Sequence, residues 1–328
     1  MKAWQVSTLG EPIDVMRLVD DAADPTPGPG QVLVKVLAVA LNFPDVLMCR
    51  GLYQVRPPLP FTPGVELCGT VVAAGPDVVA PSIGDRVLGS PAGGGLAEFA
   101  LMDAADALPA PAALDNAQAA SFHIAYQTGW FGLHRRAGLK AGETLLVHAA
   151  AGGVGSAAVQ LGKAAGARVI GVAGGPAKAG VAADLGADVV IDRRADDFVA
   201  AVKDATGGRG ADVIYDPAGG DTFARSTKCI AFEGRLLVIG FASGDIPSAV
   251  VSHALIKNYS IVGLHWGLYK RHDPKSIVDA HGALSALANE GVAVPLASEI
   301  VPFTQAPAGL ARLAAGETTG RVVVAVDA

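Results

Sequence analysis

The chain has 328 residues, 51% of them apolar, with 31 acidic against 25 basic residues and a formal net charge of −6. That length and apolar content allow a sizeable buried core and two domains. The acidic balance excludes broad electrostatic binding to nucleic acid or to an anionic membrane, because neutralising phosphates requires a basic face. No apolar run approaches the roughly 20 residues needed to cross a bilayer. Residues 1–6 lack the apolar stretch of a signal peptide, so a cytoplasmic location is expected. Cys49, Cys68 and Cys229 are too few and too dispersed for a disulfide framework and form no C-x-x-C pair; reduced, buried thiols are expected.

From residue 6 to about 102, short β-like runs at 31–39, 67–74 and 85–88 are divided by Gly and Pro, which predicts a β-rich module. Residues 25–30 form a turn-rich connection, and Gly93-Gly94-Gly95 reads as a tight mobile loop. After Pro109 and Pro111, Asp115 is placed to cap one Ala-rich helix running through Tyr126 to about Leu133.

The pattern then changes to alternating strands and helices. Residues 144–149 predict a strand, followed by Ala150-Ala151-Gly152-Gly153-Val154-Gly155, which has G-x-G-x-x-G spacing with Ala150 in the first glycine position. In that motif Gly152 lets the backbone approach a pyrophosphate, and Gly155 lets the helix pack close to its strand. The free N–H groups at the start of the helix attract phosphate charge. A helix over 156–165 ends at Gly166, and 169–172 supplies the next strand. This βαβ unit predicts a dinucleotide cleft and a nicotinamide redox enzyme.

A site for NAD normally closes its second strand with Asp or Glu, which accepts hydrogen bonds from the ribose hydroxyls. Here Ala173 stands there, and Gly174-Gly175-Pro176-Ala177-Lys178 carries no acid. Without a carboxylate, nothing repels a 2′-phosphate. Lys178 is a candidate partner for that phosphate, and a strand at 189–191 delivers Asp192-Arg193-Arg194 to the same sheet edge, making Arg193 a second. The cofactor expected is NADPH.

Further strands at 213–215, 236–239 and 261–264 predict a doubly wound parallel sheet in an α/β fold. A helix over 276–289 and a terminal strand at 321–326 follow, and that tail is placed to return to the β-rich module. The seven histidines are scattered and are read mostly as structural or surface residues. His265, beside Trp266 at the end of a predicted strand, is the exception.

Several phrases in order resemble the zinc-independent NADPH:quinone oxidoreductase branch, the zeta-crystallin-like branch, of the medium-chain dehydrogenase/reductase superfamily. They are Asn42-Phe43-Pro44-Asp45, Gly51-Leu52-Tyr53, Pro63-Gly64-Val65-Glu66, Tyr126-Gln127-Thr128, residues 149–156, Asp216-Pro217-Ala218-Gly219-Gly220 and Val238-Ile239-Gly240-Phe241-Ala242. The resemblance implies a GroES-like β-barrel built from both chain ends (1–123 and 266–328), a Rossmann domain inserted at 124–265, and an active cleft between them. Zinc-dependent relatives would place a Cys near Asn42 and a His at Val65, followed by a four-cysteine loop. Those ligands are missing, and His123 alone does not make a site, so no metal is expected.

The resemblance also implies roles. Asn42 would donate an amide hydrogen bond near the nicotinamide, and Tyr53 would bind the acceptor carbonyl or transfer a proton. Tyr126, Thr128, Phe241, His265, Trp266 and Arg321 would contact the cofactor, together with Ala150, Gly152, Gly153, Val154, Gly155 and Gly174. Two departures are noted: Leu47 stands where some quinone reductases carry a Tyr, and the family's Ser near Gly175 is absent. The expected substrate is a quinone or a conjugated carbonyl. Reduction of an enoyl thioester or enone double bond is the alternative within the same fold, and a non-enzymatic nucleotide-binding role is the alternative outside enzymology. A homodimer is expected, paired through residues 255–262.

Overall fold

The computed structural model describes residues 1–326. In chain order its strands are β1 (Ala3–Val6), β2 (Met16–Val19), β3 (Gln31–Ala40), β4 (Leu67–Ala74), β5 (Arg86–Gly89), β6 (Phe99–Asp103), β7 (Leu108–Pro109), β8 (Thr144–His148), β9 (Arg168–Ala173), β10 (Val189–Asp192), β11 (Ala211–Asp216), β12 (Ile230–Val238), β13 (Ser260–Gly263), β14 (Ala297–Pro302) and β15 (Arg321–Ala325). Two compact units emerge: Met1–Ile124 with the chain from Ala288 onward, and Ala125–Leu287.

The first unit is built on a sheet ordered β14-β15-β3-β4-β5-β7, with β6 also pairing β3. Along β3, Val32, Val34 and Val36 are buried while Gln31, Leu33 and Lys35 between them are less so, the alternation of a strand with one face on the core. Leu67, Val71, Val87, Met102, Val322 and Val324 meet them in one apolar cluster. The returning tail enters here as expected: β15 pairs antiparallel with β3, Val323 opposite Ala40.

The second unit holds a six-stranded sheet ordered β10-β9-β8-β11-β12-β13. Every pair in it is parallel. All five residues of β8 are buried, which is why its sequence reads as an apolar run rather than an alternation. The strand order is that of a doubly wound dinucleotide fold. It reverses direction between β8 and β11, and in such sheets the ligand crevice opens at the strands' carboxyl ends at that switch point.

Two expectations need correction. The single Ala-rich helix is broken: Asp115 caps Asn116–Ala120 by accepting from the Gln118 N–H (2.8 Å), the chain kinks at Ser121, and a second helix spans His123–Trp130. The break has a tertiary cause, because Glu66 draws the Ile124 N–H to its carboxylate at 2.7 Å. The later change between units falls after Leu287 rather than after residue 265. Gln127 donates to the Ile277 carbonyl (3.1 Å), and Phe131 packs on Tyr269 with ring centroids 4.4 Å apart, tying that stretch to the second unit.

Candidate active site

The glycine turn follows β8 at its carboxyl end, and the helix Gly153–Ala164 starts from it. The N–H groups of Gly153, Val154 and Gly155 lie in the first helical turn, where no carbonyl of the same helix can reach them. Gly155 is required by space, since a Cβ there would lie 2.1 Å from the Ala149 carbonyl oxygen. Gly152 is looser, with 3.2 Å to the same oxygen. Ala150 fits the first glycine position because its Cβ faces Gly171 on β9. The left-handed step of the turn falls on Ala149, at φ +49°, a conformation non-glycine residues seldom adopt and which concentrates at functional sites.

At the end of β9, two guanidinium groups lie along two glycines, with Lys178 nearby. Asp192 pairs in register with Ala173, and the Arg193 N–H donates to the Ala173 carbonyl at 2.9 Å. The Arg193 guanidinium lies along Gly174, where a Cβ would sit 3.3 Å from Nε. Arg194 lies along Gly175, which has φ +91°, with Nη1 3.3 Å from the Cβ position. The Asp192 carboxylate shapes the turn by accepting the N–H groups of Gly175 (2.7 Å) and Arg194 (2.9 Å). Those backbone hydrogen bonds hold its carboxyl below the usual carboxylate range. Lys178 completes the group: burial, then the charges of Arg194 and Arg193, pull its ammonium below the usual lysine range. Two guanidinium groups thus lie along the glycine turn, with the Lys178 ammonium close enough to feel both. That arrangement fits a phosphate.

The remaining residues expected in the second unit are placed separately. Tyr126 is buried and its hydroxyl donates to Gln160 Oε1 at 2.7 Å. Thr128 is buried on the same helix. Phe241 is half-buried against Gly219 in the loop that follows β12. Asp216 supports the facing loop by accepting the N–H groups of Ala218 (2.9 Å) and Gly219 (3.0 Å). His265 is exposed and lines a cavity of about 260 Å³ with Arg136, Tyr269 and His272. Trp266 is half-buried with the Lys270 ammonium 5.9 Å from its ring centroid.

In the first unit, Asn42 and Arg321 are brought together by a residue the sequence reading assigned no role, Glu66. Asn42 precedes the helix Phe43–Cys49, Glu66 lies just before β4, and Arg321 opens β15; all three are buried. Asn42 Nδ2 donates to the Ala40 carbonyl (3.0 Å) and to Glu66 Oε2 (2.9 Å), while Oδ1 accepts from Arg321 Nη1 (2.5 Å). Arg321 Nη2 also reaches Glu66 Oε2 at 3.1 Å. The orientation of the amide is set by its partners, since the groups beside Nδ2 can only accept and the guanidinium can only donate. Both amide hydrogens are therefore committed, and the expected donation by Asn42 to an acceptor has no N–H left in this geometry.

Burial pushes the Glu66 carboxyl up, while Arg321, Asn42 and the backbone N–H groups of Ile124 and His123 pull it back. All four partners are donors, so the pocket is built for the carboxylate. Asp45 lies nearby, fully buried, accepting from the N–H groups of Asn42 (2.9 Å), Gly64 (2.8 Å) and Val65 (3.1 Å). Burial pushes its carboxyl up to about 6 despite those bonds. Tyr53 is half-buried against the core, and burial, then the Asp45 charge, raise its phenol above the usual range. Among the described residues, no three of His, Cys, Asp and Glu come together to hold a metal ion.

Glu66, Asp45 and Arg194 were missed as contributors. The first two stand inside quoted phrases, but nothing along the chain distinguishes a buried carboxylate from a surface one. Arg194 was legible as the neighbour of Arg193.

A doubly wound nucleotide unit inserted between the ends of a mostly antiparallel β unit defines a two-domain dehydrogenase. Residues 28–112 match the alcohol dehydrogenase GroES-like domain family, and 153–281 the zinc-binding dehydrogenase family. A quinone oxidoreductase-like protein 2 homolog of Nematostella vectensis is 41% identical over 276 residues, 84% of this chain and 74% of that protein. The quinone oxidoreductase-like protein 2 of Bos taurus is 34% identical over 94% of this chain and 89% of its own. The chain belongs to the quinone oxidoreductase-like family of medium-chain dehydrogenases/reductases. Among solved structures, a mycobacterial protein complexed with NADPH is similar at TM-score 0.92 and 33% identity, over 99% of this chain and all of that one. Escherichia coli quinone oxidoreductase, also complexed with NADPH, gives 0.91 and 29% with the same coverage. The CurK enoyl reductase gives 0.90 and 27%, over 99% of both chains.

Proposed function

We propose that the chain transfers hydride from NADPH to a quinone or a related conjugated carbonyl, with no metal ion taking part. The observation that carries the cofactor assignment is the placement of Arg193 along Gly174 and Arg194 along Gly175, with Lys178 within reach of both charges, beside a strand that ends in Ala173 instead of an acid. A 2′-phosphate would add charge-assisted hydrogen bonds to these cations, and the first-turn N–H groups of Gly153, Val154 and Gly155 would receive the pyrophosphate.

When bound, the dinucleotide supplies the hydride. The chain's own contribution is to hold the reactants and manage a proton. Tyr53, whose phenol stays protonated across the physiological range, is suited to donate a hydrogen bond to a carbonyl oxygen or to pass it a proton. Tyr126, Thr128, Phe241, His265, Trp266 and Arg321 serve the cofactor in this reading. Metal-independence is supported by Asn42 and Val65 standing where zinc-dependent relatives carry ligands. An acceptor such as a quinone takes hydride readily without a Lewis acid, so orientation supplies most of the catalysis.

The likeness to the CurK enoyl reductase favours a second reading, reduction of a conjugated double bond in an enoyl thioester. Turnover of NADPH with a simple quinone and with a short enoyl-CoA, measured side by side after exhaustive chelation, separates the two. Consumption with neither acceptor, or only with added zinc, overturns the proposal.

We also infer a homodimer. Among the described residues β13 pairs only with β12, leaving its outer edge open. The adjoining helix Val251–Lys257 exposes Val251 (76%), Leu255 (78%) and Ile256 (74%). An open edge beside large exposed apolar side chains is suited to pairing with a second copy.

A further inference from the structure

We infer that Asp192 is a positioning residue for cofactor discrimination: its carboxylate ties the turn after β9 to the turn after β10, and so sets the two guanidinium groups that meet a 2′-phosphate. The inference rests on the reading above in taking the phosphorylated dinucleotide as the ligand. All of its parts lie within the second unit.

The two segments around the phosphate position come from different places in the chain. Gly174 and Gly175 follow β9, whereas Arg193 and Arg194 follow β10. One oxygen joins them. Asp192 Oδ1 accepts the Gly175 N–H at 2.7 Å from the first segment and the Arg194 N–H at 2.9 Å from the second. The Arg193 N–H, donating to the Ala173 carbonyl at 2.9 Å, closes the same corner. The Asp192 carbonyl also accepts the N–H groups of Ala195 (3.0 Å) and Asp196 (2.9 Å), which turns the chain directly after the two arginines. Gly175 sits at φ +91°, and a glycine has many conformations to choose from. The bond to Asp192 holds it in this one.

Position matters here because guanidinium contacts are directional. The planar fork meets a phosphate through paired N–H bonds, and a long side chain gives up rotamer freedom to make them. Anchoring the Arg194 main chain, together with the glycine surface along which both guanidinium groups lie, arranges the fork before the ligand arrives.

The charge of Asp192 works the other way. As an anion close enough to feel Arg194 and Arg193, the carboxylate offsets part of the field that attracts a phosphate. Geometry and charge are separable, because both N–H groups go to Oδ1 and an amide oxygen in the same place can accept both.

Isothermal titration calorimetry with NADPH and NADH, on the wild type, Asp192→Ala and Asp192→Asn, makes that separation without any turnover. The wild type is expected to prefer NADPH. In Asp192→Ala the preference falls about tenfold, the worth of one charge-assisted contact, through weaker NADPH binding with NADH unchanged. In Asp192→Asn it is kept or rises by up to about fivefold, since the acceptor stays and a surface charge is removed. Should Asp192→Ala fail to fold, Asp192→Glu, which displaces the oxygen by one methylene, is expected to show the same loss.

An Asp192→Ala chain that keeps the wild-type preference, or that weakens both dinucleotides equally, overturns the inference. So does an Asp192→Asn chain that loses the preference as the alanine variant does. A wild type that binds NADPH no more tightly than NADH overturns the 2′-phosphate reading instead, and this inference with it.

Discussion

Arg321 Nη1 donates to Asn42 Oδ1 at 2.5 Å although 279 positions separate the two residues. The contact exists because β15 returns to pair with β3, whose last residue is Ala40. It joins the two chain ends around Glu66, and it makes the first unit's polar centre dependent on a strand contributed after the whole second unit.

That centre should be fragile to single changes and tolerant of a paired one. Removing one partner of a buried ion pair leaves the other uncompensated, so Arg321→Met or Glu66→Ala should each cost about 3–5 kcal/mol. Glu66→Ala combined with Arg321→Met should be less destabilised than the sum of the two single variants. Urea unfolding midpoints of the four chains check this. Additive losses would mean the two groups are not coupled.

Lys178→Ala and Arg193→Ala should each weaken NADPH by about tenfold while leaving NADH nearly unchanged, since each removes one charge-assisted contact to a phosphate that NADH lacks. Fluorescence titration with both dinucleotides measures it, and the NADPH affinity should also fall with added salt. Equal losses for both dinucleotides would reject a phosphate role.

Tyr53→Phe should lower kcat about a hundredfold if the phenol passes a proton, with the NADPH dissociation constant unchanged. A variant that retains full kcat would reduce Tyr53 to packing on the β-unit core.

Acid should destabilise the second unit through His148. Its ring is buried against Phe198 and shares a 2.8 Å hydrogen bond with Ser226, and burial, then the charges of Arg193 and Arg225, press it down to about 3. The unfolded chain takes up that proton near pH 6.5, so the stabilisation is complete above about 6.5 and is lost as pH falls toward 3. Asp45 acts in the opposite sense. With its carboxyl raised to about 6, its contribution is greatest at low pH and declines as pH rises from about 4 to 6. Unfolding free energies measured across that range should show a shallower acid loss for His148→Phe than for the wild type. A parallel curve would exclude His148 as its source.

Leu255→Glu should yield a monomer by light scattering with the fold intact by circular dichroism, because a charge on an exposed apolar helix face opposes pairing. A wild-type chain already monomeric at micromolar concentration would remove the dimer from the proposal.

Much of this was legible along the chain because its determinants are local. The glycine turn, the strand ending in Ala173, and the basic pair after β10 each occupy a short window whose spacing reflects backbone geometry, and Arg193 and Arg194 lie along Gly174 and Gly175. Tyr53 was visible through its phrase, though its coupling to Asp45 was not. The helix drawn from Asp115 to Leu133 failed because its interruption comes from Glu66, some 58 positions from Ile124. Local propensity contains no term for a carboxylate arriving from a distant part of the chain.

By itself, then, the amino-acid order determined the class of fold, the nucleotide turn and the sign of charge beside it, since these follow from periodicity, glycine placement and composition within single βαβ units. Only the tertiary structure decided the state of the polar residues: that Asn42 has no hydrogen left to donate, that Glu66 anchors two others, and that Arg321 belongs with both. Hydrogen-bond roles are settled by which partners lie within about 3 Å, and here those partners come from opposite ends of the chain.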